Sequence, residues 1–556
     1  MRDGTMLAAD IFRPGKNGKA TLERLPVLWR GERYHRAGQR DQVSITADSD
    51  SAVQSFLRYG YVVAVIDMRG TGASFGSRDG PFSREEILDA YDITEWLATQ
   101  PWSSGKIGMI GRSYSGIIQY LAAASAPPHL VAIFPEMALF DLYDFLYPGG
   151  VFRRDFVDSW SKLVHNRDRI QDPLPVDADP DGSIMSIARS EHQRNVLPSE
   201  MFPLLPFRDS REAEHGLRLY QLRSPASSLR ANDVSGIAIY HVAGWYDLWP
   251  KDALLWFSNL KAPQKILIGP WSHRESIGFD LAVEQRRWFD YWLKGIPNGI
   301  MDEPPIRYFT MEGDGGQWTT SEKWPVSSMH WAPFYLGGGK ESASALLKAV
   351  PLDGAITVTA DYTQTSGDFT RWSAGYGSQF GYSDMASNDA KGIVFTTPPL
   401  AEPLIITGHP VINVWISATT DDVDLVAYLE LVDSRGVSTY VTEGVLRASH
   451  RAIGIPPYNF LGLPYHPSTE DEVVSLPGNR PSILSVDLHP TSIVVPAGVR
   501  IRLALNWADE GNLSVQKFSP PPDVTVHFGE DHPSHILLPL VHRKGGAESG
   551  SVLRND

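Results

Sequence analysis

The stretch KIGMIGRSYSGIIQYLAAASA, residues 106 to 126, passes from a strand-like run to a helix-like run with only a Gly-x-Ser-x-small turn between them. A strand that feeds straight into a helix belongs to a parallel sheet, because the crossover helix carries the chain back to the start of the next strand. The turn is sterically demanding. With a serine at its apex, side chains two places before and after crowd the backbone, so small residues are required there. Gly111, Ser115 and Gly116 meet that requirement around Ser113. Taken alone, the motif also fits an ordinary hydroxyl in a glycine-tolerant loop, so its meaning depends on the rest of the chain.

The flanking sequence has the β/α pattern that the turn demands. PVLW (26–29), YVVAVID (61–67) and KIGMIG (106–111) are candidate strands. Between the last two, SREEILDAYDITEWLATQP is a candidate helix. Ser83 with Glu86 resembles a capping box, Pro101 follows the stop, and Ile87, Ala90, Tyr91, Thr94, Leu97 and Ala98 form one stripe. From about 139 to 229 an aromatic and charged, helix-compatible segment replaces the strands. GIAIYHVAG (236–244) and QKILIGP (264–270) then resume the earlier style, with AVEQRRWFDYWLKG as their helix partner. After about 310 the period changes to two in VINVWIS (411–417), DLVAYLELV (424–432), SILSVDLHP (482–490) and GVRIRLALNW (498–507). In the last of these Val499, Ile501, Leu503 and Leu505 share one face. The pattern predicts an α/β domain in two parts, 1–138 and 230–310, interrupted by a helical cap at 139–229 and followed by a jelly-roll β-sandwich at 311–556. The polar tail KGGAESGSVLRND is expected to fray.

Composition removes several function classes. With 65 acidic against 50 basic residues the formal charge is −15, which repels phosphate backbones and anionic lipid, so neither nucleic acid nor a membrane is an expected partner. The absence of cysteine excludes thiolate nucleophiles, disulfides and cysteine-ligated zinc. No run approaches the roughly 18 apolar residues of a membrane span. The opening MRDGTMLAADIFRP lacks a basic start, an apolar run and a cleavage site, so a cytoplasmic location is expected.

A serine hydroxyl is a weak nucleophile at neutral pH and needs a base within hydrogen-bond reach, itself oriented by a third group. On an α/β-hydrolase sheet these follow in the order serine, acid, histidine, in loops after later strands. Asp247 in AGWYDLW follows strand 236–244, and His273 in IGPWSH follows strand 264–270. Asp247 on its own reads as a turn or cap residue, and His273 as a satisfied loop histidine. Their joint order and their placement at carboxyl ends of strands favour a triad with Ser113.

These residues, together with RDGTMLAADIFRP, PVLWRGERYHR, DMRGTGASFG, YDITEWLATQPWSSGKIGMIGRSYSG and HPSHILLPL, resemble the X-prolyl dipeptidyl-peptidase and bacterial cocaine esterase (CocE/NonD-type) family of serine hydrolases over nearly the whole chain. The resemblance implies that Ser113 is the nucleophile, Asp247 the acid and His273 the general base. It also implies that the Tyr34 hydroxyl, in ERYHR, forms an oxyanion hole with the backbone N–H of Tyr114. Two short stretches depart from the family pattern. Glu32 and Arg33 stand where threonine-proline is frequent, and Leu248 and Trp249 follow Asp247 where a small residue is common. Trp249, Trp245 and Trp160 are the substrate-pocket candidates. No cofactor and no metal are implied, the partner is a small acyl ester or amide, and a homo-oligomer is compatible with the resemblance.

Three further motifs carry weaker signals. GTGASFG after strand 61–67 has its third glycine one place late for a dinucleotide fingerprint and no helix behind it, so it reads as a tight βα turn with Asp67 and Arg69 paired. HFGEDHPSH gathers His527, Glu530, Asp531, His532 and His535, but Pro533 breaks any helix that would align them, and a structural loop is the preferred reading over a metal site. Arg153, Arg154, Arg167 and Arg169 would suit an anionic substrate group, although such a run is usually a solvated helix face. Acyl ester or amide hydrolysis is therefore expected. The alternatives are an X-prolyl dipeptidyl-peptidase or α-amino-acid ester hydrolase, for which no acidic pair to hold a substrate amine stands out, and a non-catalytic binder using the sandwich.

Overall fold

The computed structural model describes residues 1–542 apart from 41–42, 48–49, 275, 340–341 and 377–378, so the polar tail expected to fray lies outside the described residues. The first half is built on strands β1 (Ala9–Phe12), β2 (Leu25–Glu32), β3 (Val62–Asp67), β4 (Ser103–Arg112), β5 (Leu130–Glu136), β6 (Ala238–Tyr246), β7 (Gln264–Ser272) and β8 (Ile306–Glu312). Their spatial order is β1-β3-β2-β4-β5-β6-β7-β8, with β1 antiparallel and the rest parallel. Helices α1 (Ser51–Arg58), α2 (Arg84–Thr99), α3 (Tyr114–Ala124), α4 (Arg154–His165), α5 (Ser183–Glu191), α6 (Pro250–Asn259) and α7 (Leu281–Lys294) accompany them.

Both faces of this sheet are buried, which is why its strands read as nearly continuous apolar runs. Leu28, Val63, Val65 and Phe134 face a layer holding Phe56 of α1 and Trp288 and Phe289 of α7. Val27, Trp29, Ala64, Met109 and Ile133 face the other way, onto Leu97 of α2, Ile118 of α3 and Leu254 of α6. The chain places β3 on one side of β2 and β4 on the other. Loops leaving β2 and β4 therefore diverge and open a crevice over the carboxyl ends, where Tyr34 and Ser113 lie. Between β5 and β6 the chain leaves the sheet and runs through α4, a π-helical turn at Asn166–Ile170, and α5.

The details of α2 depart from its predicted stripe. Ser83 Oγ accepts the Glu86 N–H at 3.3 Å, but the Glu86 carboxylate does not close the box; it is buried against Arg78 and accepts the Tyr114 hydroxyl at 2.9 Å. The helix is turned so that Glu86, Asp89 and Ile93 face inward, while Ile87 and Tyr91 are only half-buried. The cause is the preceding loop, whose Arg69 pairs with Asp89 at 2.6 Å and with Asp3 at 2.8 Å. The expected Asp67–Arg69 pair is thereby replaced. Asp67 instead accepts backbone N–H groups of Arg36 (2.6 Å) and Ala73 (2.9 Å), and burial pushes its carboxyl up to about 7.

The second half contains β9 (Val411–Ala418), β10 (Asp424–Val432), β11 (Ser438–Arg447), β12 (Ser482–Asp487), β13 (Arg500–Asn506), β14 (Asp523–Phe528) and β15 (His535–Val541). One antiparallel sheet contains β11-β10-β13, and a second joins β9 to β12, β14 and β15. Ile501, Leu503 and Leu505 on β13 meet Ile412, Val414, Ile416 and Val526 in a dry core, as their alternation requires. A Lys251–Asp487 ion pair at 2.8 Å joins α6 to this sandwich. His527 bonds Ser417 Oγ at 2.9 Å and His535 bonds the Pro533 carbonyl at 2.6 Å; among the described residues no group of histidines and carboxylates is arranged to hold a metal ion. No described helix is long and apolar enough to cross a membrane.

Leu503 is fully buried between the sheets. Leu503→Ala should lower stability by about 2–5 kcal/mol through lost transfer energy and a residual cavity, read from denaturant unfolding curves. A loss below about 1 kcal/mol would contradict this packing.

Candidate active site

The turn between β4 and α3 holds Ser113 at φ 60 and ψ −125, a conformation non-glycine residues avoid. Close packing enforces it. The Ser113 N–H donates to the Glu136 carbonyl of β5 at 3.0 Å, and the Ser113 carbonyl accepts N–H groups of Gly116 and Ile117, each at 2.8 Å. A methyl on Gly111, itself at φ +136, would stand 2.6 Å from Ser115 Cβ, and one on Gly116 would stand 2.6 Å from the Glu136 carbonyl oxygen. Ser115 Oγ donates to the Gly31 carbonyl at 2.6 Å, tying the turn to β2.

Asp247 lies in the turn after β6 and is fully buried. Its Oδ1 bonds His273 Nδ1 at 2.6 Å, and its Oδ2 accepts the Trp249 N–H at 3.0 Å. With Nδ1 engaged by a carboxylate, Nε2 is the ring nitrogen left to accept a proton. Ser113 and His273 line one cavity of about 730 Å³. Among the described residues no hydrogen bond joins the Ser113 hydroxyl to His273; in substrate-free sites such bonds are commonly long and tighten when substrate binds. The Asp247 turn is also held from the sandwich. Arg371, fully buried, donates to the carbonyls of Asp247 and Trp245, each at 3.3 Å.

Tyr34 lines the same cavity, and its hydroxyl accepts the Trp160 Nε1–H at 3.2 Å. Trp160 has no acceptor to offer in return, so the phenolic O–H remains free to donate elsewhere. Burial raises the Tyr34 pKa, which keeps that proton in place. Tyr114 is the first residue of α3, so its N–H lies outside the helix's own ladder. Its ring is fixed by Phe82, stacked at 4.8 Å, and its hydroxyl accepts the Phe82 N–H at 3.1 Å.

Of the tryptophans, Trp249 and Trp160 line the cavity, and Trp249 meets His273 edge to face at 5.3 Å. Trp245 does not. Its ring packs against Trp324 and its Nε1 donates to the Phe309 carbonyl at 2.7 Å, because its place in β6 points it at β8 rather than at the crevice. The arginines separate too. Arg167 lines the cavity and Arg154 is exposed, but Arg153 is buried 3.2 Å over the Trp372 ring and Arg169 donates to the Asn195 carbonyl at 2.6 Å. Sequence reasoning missed Arg371 and the wall formed by Gly375 and Tyr376, which the sandwich half sends into the cavity. Arg371 opens a four-residue helix, Arg371–Ala374, and Gly375 and Tyr376 follow it, too short a stretch to leave a periodic signal.

A parallel α/β sheet with a serine at the β4–α3 turn and a buried Asp–His pair beside it defines the α/β-hydrolase class of serine hydrolases. The comparisons give the family. The X-Pro dipeptidyl-peptidase (S15 family) profile matches residues 3–275, and that of the X-Pro dipeptidyl-peptidase C-terminal non-catalytic domain matches 298–537. A Mycobacterium bovis relative named "Putative serine esterase" is 31% identical over 97% of this chain and 94% of its own length. The cocaine esterase of Rhodococcus sp. is 26% identical over 98% of this chain and 97% of its own. A CocE/NonD family hydrolase from Staphylococcus aureus shares the fold with a TM-score of 0.76 at 18% identity, covering 98% of this chain and 92% of that one. The chain belongs to the X-Pro dipeptidyl-peptidase and cocaine esterase family of serine hydrolases.

Gly111→Ala should disturb the turn through both the clash with Ser115 and the positive φ. The expected result is loss of stability on the order of 1–3 kcal/mol together with most ester turnover, read by thermal melting and initial rates. An alanine enzyme of native stability and rate would contradict the geometry.

Proposed function

We propose that the chain hydrolyses neutral acyl esters of small molecules through an acyl-enzyme. The observation that carries this reading is the 2.6 Å His273–Asp247 bond at the rim of the cavity that Ser113 also lines. Ser113 Oγ attacks the acyl carbonyl while His273 Nε2 takes its proton. Asp247 orients the ring and stabilises the imidazolium. The Tyr34 hydroxyl and the Tyr114 N–H receive the developing oxyanion. His273 then protonates the leaving alcohol, and a water activated by the same nitrogen releases the acid.

The cavity electrostatics support an ester over a peptide with a free amine. Among the described residues, the cavity-lining carboxylates Glu32 and Glu136 are already engaged, Glu32 by Arg30 at 2.5 Å and Glu136 by Arg112 at 2.9 Å. Burial raises the Glu32 pKa against the opposing pull of Arg30, which makes it a poorer partner for a substrate ammonium. A substrate ammonium would have to compete with one of these partly buried pairs to find a partner.

A fluorophosphonate probe should label Ser113 alone, and Ser113→Ala should abolish labelling and lower aryl ester turnover by at least about 10⁴-fold. An unlabelled protein with no turnover across aryl and alkyl esters would support a non-catalytic binder instead. Tyr34→Phe should lower kcat on the order of 10²–10³-fold with little change in KM. Faster turnover of X-Pro amides than of the matched esters would overturn the ester assignment.

A further inference from the structure

The two oxyanion donors named above are not held by their own loops alone. Arg33, immediately before Tyr34, grips Asp168 with both terminal nitrogens, Nη1 to Oδ1 at 2.6 Å and Nη2 to Oδ2 at 2.9 Å. Asp168 belongs to the π-helical turn of the cap and also accepts Asn195 Nδ2 at 2.8 Å. Asn195 turns to the loop after β3. Its Nδ2 donates to the Gly70 carbonyl at 2.9 Å, and its Oδ1 accepts the Arg78 N–H at 2.8 Å. The Arg78 guanidinium then donates to the Tyr114 hydroxyl and pairs with Glu86.

This chain of contacts is shut away from water: Arg33, Asp168, Asn195, Arg78 and Glu86 are 4%, 1%, 3%, 5% and 2% exposed. Its charges cancel in pairs, with the Asn195 amide bridging them. Burial works to raise Asp168, but the Arg33 guanidinium outweighs it and holds the carboxyl below its ordinary range. A buried network of this kind adds little net stability compared with apolar packing, yet it admits one geometry, because any displaced member leaves a charge or amide unpaired. Neither Asp168 nor Asn195 lines the cavity, so substrate contact does not account for them.

We propose that Asp168 and Asn195 are positioning residues for the oxyanion hole, tying Arg33 to Arg78 so that the Tyr34 hydroxyl and the Tyr114 N–H keep a fixed relation. The proposal rests on the reading of those two donors given under Proposed function. In it the cap, besides walling the pocket, sets the geometry of transition-state stabilisation.

The test uses the full-length enzyme and a small aryl acetate. Asn195→Ala keeps both ion pairs and removes the amide that bridges them, together with its bond to the Gly70 carbonyl; kcat should fall on the order of tenfold with KM within about threefold. Asp168→Asn should cost more. In a Tyr34→Phe background the added loss from Asp168→Asn should fall well short of the product of the single losses, since both act on one donor. Folded Asn195→Ala and Asp168→Asn enzymes with kcat within about twofold of the parent would overturn the proposal, as would effects on KM alone or fully multiplicative losses. Should Asp168→Asn fail to fold, Asn195→Ala decides. A Tyr34→Phe enzyme with undiminished kcat would remove the donor assignment itself, which is a different failure from intact donors that ignore Asn195.

Discussion

The start of α3 lies so close to the end of β5 that the Glu136 carbonyl both accepts the Ser113 N–H at 3.0 Å and leaves no room for a side chain at residue 116. Much of the site follows from that approach. A helix docked this tightly forces the joining residue to positive φ, which sets its side chain at the apex of the turn instead of into the sheet. It also leaves the next N–H, that of Tyr114, pointing out of the helix end beside the same apex. Unfavourable backbone geometry persists only where packing over-determines it, and here Ser115 on Gly31 and Gln119 on the Gly111 carbonyl, at 2.6 and 3.1 Å, supply that packing.

The second half of the chain is part of the site as well as an attachment to it. Arg371 reaches into the first half and donates to two carbonyls of the turn that carries Asp247. Its guanidinium is fully buried and its Nη1 and Nη2 donate to those carbonyls, so neither the turn nor the arginine is free to move independently. The family term "non-catalytic" for this domain leaves out its hold on the Asp247 turn and its share of the cavity wall.

Legibility in the sequence followed regularity. Ser113, Asp247 and His273 could be placed because each closes a strand whose apolar run is plain, and the order of the three restricts their roles. Leu503 and its neighbours could be placed by alternation. The readings that went astray concern side chains whose partners are distant in sequence: Arg69 turns to Asp89 and Asp3, Glu86 turns to Arg78, and Trp245 turns away from the crevice by the parity of its strand. Asp168, Asn195 and Arg371 carried no signal at all. Asp168 and Arg371 lie in helical turns of five and four residues, too short for a period to show, and a carboxylate whose partner is 135 residues away leaves no periodic trace.

Trp160 and Trp249 both wall the cavity, yet they are bound to the chemistry in different ways. The contact that Trp249 makes to Asp247 comes from its backbone N–H, which any residue other than proline retains, so a change of its ring keeps that bond and alters the cavity wall and the edge-to-face contact with His273. Trp160 bonds the Tyr34 hydroxyl through its indole nitrogen, and because that group only donates, it turns the phenolic proton away from itself. Replacing Trp160 reshapes the pocket and at the same time releases the orientation of Tyr34. A change of ring at Trp249 therefore reshapes the cavity without touching Tyr34, whereas one at Trp160 alters the cavity wall and the orientation of the Tyr34 hydroxyl together.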